Sequence, residues 1–203
     1  MPMEGDYPTL ENTAHLDGLL CMGSDMSAYE DAPWMLELGE FFKSVANTSL
    51  KIVGVCFGHH LMNKVFGGEV ARNVGQGTII GADKIKISIP EDLLGSAISG
   101  LLEDGTTLNM LECHGDEVVS LGQGARRLGS SKRCENEIVL VRDNMLTMQG
   151  HPNFTAHTMM EIWWTYLLKK GEVDPADRGK AEAEMTELDT DKILDVVRAF
   201  FKG

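Results

Sequence analysis

Residues 50–60 read LKIVGVCFGHH, a β-branched run that ends at a cysteine standing between two glycines. The run is typical of a buried strand in a parallel sheet, and residues 61–66 continue as a short helix. The pattern Gly-x-Cys-x-Gly is the thiol form of a nucleophile elbow, in which glycines allow a strained strand-to-helix turn. We therefore predict that Cys56 is raised above the carboxyl edge of the sheet, where ligands of open α/β sheets bind.

The rest of the chain alternates between strand and helix patterns. Strands are predicted at residues 16–22, 50–56 and 84–89, with weaker candidates at 106–110 and 118–121 and a hairpin over 138–148 that turns at 142–144. Helices are predicted at residues 33–45, 155–170 and 191–201, and the acidic stretch 172–189 is a mobile connection or a solvated helix. This alternation predicts an α/β fold of three layers, a mostly parallel sheet with helices on both faces. One domain over residues 1–203 is the default for this length.

Composition excludes several classes of partner. The net charge is −13, from 18 basic and 31 acidic residues, which argues against nucleic acid and anionic membrane surfaces. The sequence has no apolar run of roughly 18 residues and no secretory signal at its start. Its four cysteines form no C-x-x-C pair, so we expect free thiols, a cytoplasmic location, and neither a metal nor a cofactor.

Two residues carry the candidate chemistry, and each has a structural alternative. The helix that follows Cys56 favours its thiolate, although a cysteine in an apolar strand is often only a small buried hydrophobe. His151 ends a predicted strand and should project at the same sheet edge, although it could be a solvated or capping residue. His59 and His60 are adjacent on a helix and about 100° apart, so they cannot both face one metal. The Trp163–Trp164 pair is interpreted as core and rim packing.

Four segments resemble motifs of the class I glutamine amidotransferases, in the order of that family. Residues 22–31 resemble the oxyanion-loop turn, 54–59 the nucleophile motif, 113–118 the substrate-side loop, and 149–154 the His-Pro-Glu motif. The resemblance covers about residues 5–155 and is strongest to the GMP synthase-like, free-standing group, which includes γ-glutamyl peptidases. It implies a flavodoxin-like, class I glutamine amidotransferase-like fold.

The resemblance also implies roles for individual residues. Cys56 corresponds to the nucleophile that attacks the side-chain amide of glutamine and forms a γ-glutamyl thioester, and His151 to the general base and acid. The backbone N–H groups of Ser24 and Phe57 correspond to the oxyanion hole. The substrate-binding positions correspond to Gly23, His60, Cys113, Gly115 and Asp116.

Three departures from the family pattern are visible. Asn153 stands where the family has Glu; a carboxylate stabilises the imidazolium, whereas an amide only orients the ring, as Asn does in papain-like sites. His60 stands where the family usually has a substrate-contacting Gln. The family's first strand and helix have no counterpart before about residue 5, so we expect an exposed strand edge or groove.

The leading hypothesis is therefore a cysteine-dependent glutaminase or amidotransferase that acts on glutamine or a γ-glutamyl small molecule. Any ammonia made for synthesis would pass to a separate synthetase chain. The expected partners that could cover the N-terminal side are this synthetase or a second copy of the chain in a homo-oligomer. Two alternatives stay open. One is a γ-glutamyl peptidase, and the other is a catalytically impaired relative that acts as a binding or regulatory module.

Overall fold

The computed structural model describes residues 7–73, 75 and 77–203. Residues 5 and 6, where the resemblance begins, lie outside these ranges. The strands of the described residues are β1 Gly18–Cys21, β2 Lys51–Val55, β3 Glu69–Arg72, β4 Ile79–Ile87, β5 Thr107–His114, β6 Asp116–Ser120, β7 Ala125–Ser130, β8 Ile138–Val141 and β9 Met145–Met148. The α-helices are α1 Leu10–Thr13, α2 Pro33–Val45, α3 Phe57–Val65, α4 Ala97–Leu101, α5 Ala156–Thr158, α6 Trp164–Lys170, α7 Arg178–Glu184 and α8 Thr190–Lys202. A π-helical turn, Met159–Trp163, joins α5 to α6.

Within the described residues, seven strands form one sheet in the order β1-β2-β9-β8-β7-β4-β5, and β3 pairs with β6 apart from it. β1, β2 and β9 run parallel. All the other neighbouring pairs in the large sheet are antiparallel. The α/β class is confirmed, but the sheet is mixed rather than mostly parallel. The tight turn between β8 and β9 reverses the chain, because a connection this short can join only antiparallel strands.

Helices cover both faces of the sheet, so the predicted three layers are present. Side chains on successive strand residues point to opposite faces, and β2 follows this rule. Ile52 packs with Phe42 of α2 and Leu61 of α3 in one apolar cluster. Val53 lies in a second cluster, which includes Phe200 of α8. The inner parallel strands β2 and β9 are therefore buried on both faces, as expected for this architecture.

Most predicted elements are present, with changes in extent. The helix over 33–45 and the hairpin over 138–148 are confirmed. The helix expected at 61–66 begins earlier, at Phe57, and the strand expected at 84–89 begins earlier, at Ile79. Of the two alternatives for the acidic stretch 172–189, the helix is present in part, as α7. The sequence patterns missed the elements α1, β3, α4 and β7.

The edge strand β1 pairs with β2 and leads to one of the segments predicted to form the site. It ends at Cys21, immediately before the segment predicted to supply the oxyanion loop. Leu20 is 58% exposed on this strand. No helix of the described residues is long and apolar enough to cross a membrane.

Candidate active site

The turn at Cys56 has the strained geometry that the sequence predicts. β2 ends at Val55 and α3 begins at Phe57, which leaves Cys56 between them with φ 51° and ψ −102°. A non-glycine residue in such a region costs about 1–3 kcal/mol and persists only where its surroundings enforce it. Here the Cys56 N–H donates to the Met148 carbonyl at 2.9 Å, and the Cys56 carbonyl accepts from the His60 N–H at 2.9 Å. Hydrogen bonds from β9 and α3 therefore hold the turn.

The two glycines of the elbow are required by close approach of backbone. A methyl group on Gly58 would overlap the carbonyl oxygen of Cys21 and stand 2.9 Å from its carbonyl carbon. A methyl group on Gly54 would stand 2.9 Å from the carbonyl carbon of Gly58. The start of α3 thus packs directly onto β1 and β2, which fixes the height of the Cys56 side chain above the sheet.

Cys56 and His151 line the same cavity, which has a volume of about 340 Å³. His151 follows β9, and its backbone N–H donates to the Leu111 carbonyl of β5 at 2.7 Å. A methyl group on Gly23 would stand 3.3 Å from Cε1 of His151 and 3.8 Å from Cβ of Cys56. Both side chains therefore border one point above the carboxyl ends of β2 and β9.

The backbone carbonyl of Cys113 and the side chain of Asn153 orient the imidazole. The Cys113 oxygen lies 4.0 Å from Sγ of Cys56 and beside the His151 ring, where it favours the protonated imidazole. Nδ1 of His151 lies 3.4 Å from Oδ1 of Asn153, an acceptor for its proton. The ring also stacks on Phe154, at 4.6 Å between centroids and 13° between planes. These contacts leave the ring little freedom, and a proton on Nδ1 leaves Nε2 as the basic nitrogen.

Burial keeps both candidate catalytic groups uncharged at neutral pH. It raises the pKa of the Cys56 thiol to about 12, together with a smaller contribution from the Glu112 carboxylate and against the opposing effect of the Phe57 N–H. Burial also lowers the pKa of His151 to about 4, although the Asn153 and Cys113 oxygens, which accept hydrogen bonds from the protonated ring, oppose the shift. The resting pair is a thiol and a neutral imidazole, so the imidazole is in the form that can accept a proton.

A second, polar cavity of about 110 Å³ also borders Cys56 and shares Ser24, Cys113 and Trp163 with the first. Asp116 lines it and accepts hydrogen bonds from the Ser27 hydroxyl at 2.5 Å and the Tyr29 hydroxyl at 3.1 Å. Nη1 of Arg72 lies 3.9 Å from Oδ1 of Asp116, and its guanidinium packs over Gly115. Asp116 therefore ties the loop after β1 to the start of β6, in addition to facing the cavity.

The structure brings the predicted site residues together. Nine of them line one or both cavities: Gly23, Ser24, Cys56, His60, Cys113, Gly115, Asp116, His151 and Asn153. The tenth, Phe57, is buried beside Cys56, and its backbone N–H hydrogen-bonds the sulfur. His60 is buried, with Nε2 2.8 Å from Oε1 of Gln149. Its ring therefore has a fixed partner at the cavity wall.

Several residues of the two cavities were missed by sequence reasoning. Arg72, Lys170 and Glu172 line the polar cavity, and Trp163 lines both cavities. The packing predicted for the tryptophan pair holds for both, because Trp164 is fully buried and Trp163 is partly buried against the same cluster. The residue types do not show which of the two adjacent rings faces the cavities. Among the described residues, no group of three or more His, Cys, Asp or Glu side chains could hold a metal ion.

Known proteins resemble this chain over most of its length. Residues 8–163 match the family described as Glutamine amidotransferase class-I. The chain belongs to the class I glutamine amidotransferase family. This amidotransferase-family chain is 30% identical over 202 residues to Gamma-glutamyl peptidase 2 of Arabidopsis thaliana, in an alignment that covers 99% of the chain and 79% of that protein.

Two further relatives extend the family assignment. The chain is 30% identical over 144 residues to a glutamine-hydrolyzing GMP synthase component of Archaeoglobus fulgidus, across 70% of the chain and 69% of that protein. The crystal structure of a glutamine amido transferase from Methylobacillus flagellatus superimposes with a TM-score of 0.69 at 24% identity. That superposition covers 91% of this chain and 73% of the other, and it supports the amidotransferase fold.

Proposed function

We propose that the chain hydrolyses γ-glutamyl amide bonds through a γ-glutamyl thioester on Cys56, with His151 as general base and then general acid. The main support for this proposal is that the side chains of Cys56 and His151 both lie next to Gly23. An elbow cysteine and an imidazole from another strand border one point and share one cavity. A thiol that only filled space would need neither the strained turn nor an oriented neutral imidazole beside it.

The proposed reaction proceeds in two acyl-transfer steps. As Sγ of Cys56 attacks the amide carbon, Nε2 of His151 accepts the thiol proton, and the backbone N–H groups of Ser24 and Phe57 bind the oxyanion. The carbon–nitrogen bond then breaks as His151 returns the proton to the leaving nitrogen, and the amine departs. Water attacks the thioester while His151 accepts its proton. The carbon–sulfur bond then breaks, glutamate is released, and His151 returns the proton to the Cys56 sulfur.

The polar cavity fits the amino acid end of the γ-glutamyl group. Arg72 provides a guanidinium, which pairs well with a carboxylate, at the wall that also contains Gly115. Asp116 and Glu172 provide negative charge for the α-ammonium group. We assign Cys113, Gly115 and Asp116 to this half of the substrate, with His60 and Gly23 shaping the wall near the sulfur.

Glutamine and γ-glutamyl peptides share this chemistry and differ in the leaving group. The similarity to Gamma-glutamyl peptidase 2 over nearly the whole chain supports the peptides. The similarity to a GMP synthase component supports glutamine, with a separate synthetase chain receiving the ammonia. The cavity beside His151 is far larger than ammonia requires, and for this reason we place γ-glutamyl peptides and amides first.

Active-site labelling tests the proposal and its non-catalytic alternative. The wild-type chain, Cys56→Ala and Cys134→Ala are incubated with a diazo-ketone analogue of glutamine, and intact masses are measured. We expect one adduct on wild type and on Cys134→Ala, because Cys134 lines neither cavity, and none on Cys56→Ala. Absence of labelling, together with no turnover of glutamine or γ-glutamyl peptides, would instead support a binding or regulatory module.

A further inference from the structure

The cavity that contains His151 is lined by three aromatic rings, those of His151, Phe154 and Trp163, which we call the aromatic row. The His151 ring stacks on Phe154, whose centroid lies 5.5 Å from that of Trp163. Trp163 in turn contacts Tyr166, which lines the polar cavity, edge-on at 6.0 Å between centroids. Met22 completes the apolar wall of the cavity. The described lining of this cavity contains no Asp, Glu, Lys or Arg side chain, in contrast to the lining of the polar cavity.

The π-helical turn places Trp163 in this row. An extra residue in a helical turn rotates the side chains that follow, and such turns are frequent at functional sites. Met159 and Trp164 are fully buried in the cluster beneath the helix, whereas Trp163 is only partly buried and borders both cavities. Trp163, the last residue of this turn, therefore borders the cavity, whereas the next residue, Trp164, lies in the core.

Proton transfer decides which half of the substrate meets the aromatic row. His151 must protonate the leaving nitrogen, so that nitrogen lies in the cavity that His151 lines. The γ-glutamyl amino and carboxylate groups then occupy the polar cavity with Asp116 and Arg72. The substituent on the leaving nitrogen is consequently the part that faces Phe154 and Trp163. A molecule the size of water takes about 30 Å³ of liquid volume, so ammonia would leave most of the cavity of about 340 Å³ unfilled.

We infer that the preferred substrates are γ-glutamyl amides whose leaving amine carries an aromatic ring, bound against Phe154 and Trp163. This inference rests on the proposed γ-glutamyl chemistry and adds the identity of the leaving group. Aromatic rings gain from offset or edge-on contact with other rings in addition to the apolar area that they bury. A substituent without charge suits this cavity, because a charged substituent on the leaving nitrogen would find no counter-charge among the described lining residues.

Matched substrates test the inference directly. γ-Glutamyl benzylamide and γ-glutamyl methylamide share the scissile bond and differ in the ring. Burial of a phenyl ring predicts a kcat/KM ratio of roughly 10- to 100-fold in favour of the benzylamide. Turnover of both amides with a ratio near one would overturn the inference and leave the proposed function intact. If neither amide, nor glutamine, is cleaved, both proposals fail.

Variants at neighbouring positions assign the preference to the aromatic row. In Trp163→Ala the ratio should collapse toward one, and in Trp163→Phe most of it should be retained, because a ring is still present. Ile162→Ala is the control, since Ile162 is 61% exposed in the same turn and lines neither cavity, and its ratio should equal that of wild type. A full ratio in a folded Trp163→Ala would contradict the inference. If Trp163→Ala does not fold, Trp163→Leu replaces it, with the same expected loss.

Discussion

Gly58→Ala should destabilise the protein, because α3 rests on β1 at this residue without space for a side chain. The added methyl would overlap the Cys21 carbonyl oxygen and stand 2.9 Å from its carbonyl carbon and 3.1 Å from its Cβ. Carbon atoms pack best at about 3.5–4.0 Å, so β1 and α3 must separate by about 1 Å. The opposing atoms are strand backbone that pairs with β2, and they cannot swing aside as a long side chain would.

The expected loss follows from the cost of overpacking. Extra methylenes in a well-packed core cost about 1–3 kcal/mol, and we expect about 2 kcal/mol in the free energy of unfolding, measured by urea denaturation. Gly179→Ala in α7 is the matched control, because nothing lies within 4 Å of the added methyl. It should gain about 0.4–1 kcal/mol from reduced freedom of the unfolded chain. The reasoning is refuted if Gly58→Ala is as stable as wild type while the control behaves as expected.

Three further predictions concern the strain and the titration of buried groups. Cys56→Gly should be more stable than Cys56→Ala by about 1–3 kcal/mol in urea unfolding, because only glycine adopts φ 51° and ψ −102° without strain; equal stabilities would contradict this. Inactivation by the diazo-ketone analogue requires neutral His151, so the rate of inactivation should fall as pH is lowered through about 4, the pKa that burial gives this ring. If the rate instead falls to half its maximum near pH 6.5, the lowered pKa of His151 is contradicted. Burial raises the pKa of Glu137 to about 8, so the stability from its retained proton is full below pH 4.5 and is lost as pH rises through about 8. In Glu137→Gln the free energy of unfolding, measured in urea, should fall less over this pH range. The same dependence of stability on pH in Glu137→Gln and wild type would contradict this prediction.

The elbow could be predicted from sequence because its causes are local. A β-branched run, two glycines and a cysteine between them specify a strand, a tight turn and a helix within a dozen residues. His151 was also predictable, since it ends a strand and the carboxyl ends of parallel strands meet at one edge. The structure places both where these patterns indicate, although the ring partner is Asn153 rather than a carboxylate.

The antiparallel half of the sheet could not be read in the same way. β7 contains two arginines and a glycine in six residues, so it lacks the apolar alternation that identifies a strand. Its register is set by β8, across a loop of a few residues, and by β4, which is distant in sequence. The short connection from β8 to β9 predicts a hairpin, which fixes the direction of those two strands alone.

The two cavities were also beyond local patterns. Arg72 ends a strand of the small sheet and packs over Gly115, a contact that depends on pairing between β3 and β6. The π-helical turn that ends at Trp163 leaves no clear trace in the residue types. Side chains brought together by long-range pairing or by a helical irregularity require coordinates.

Trapping of the acyl-enzyme examines the proposed chemistry at its key step. Wild-type protein is mixed with a γ-glutamyl amide, quenched in acid during turnover, digested, and analysed by mass spectrometry. We predict one γ-glutamyl group on the peptide that contains Cys56, and neither adduct nor turnover in Cys56→Ala. An acyl group on a different residue, or continued turnover by Cys56→Ala, would contradict the assignment of Cys56 as the nucleophile.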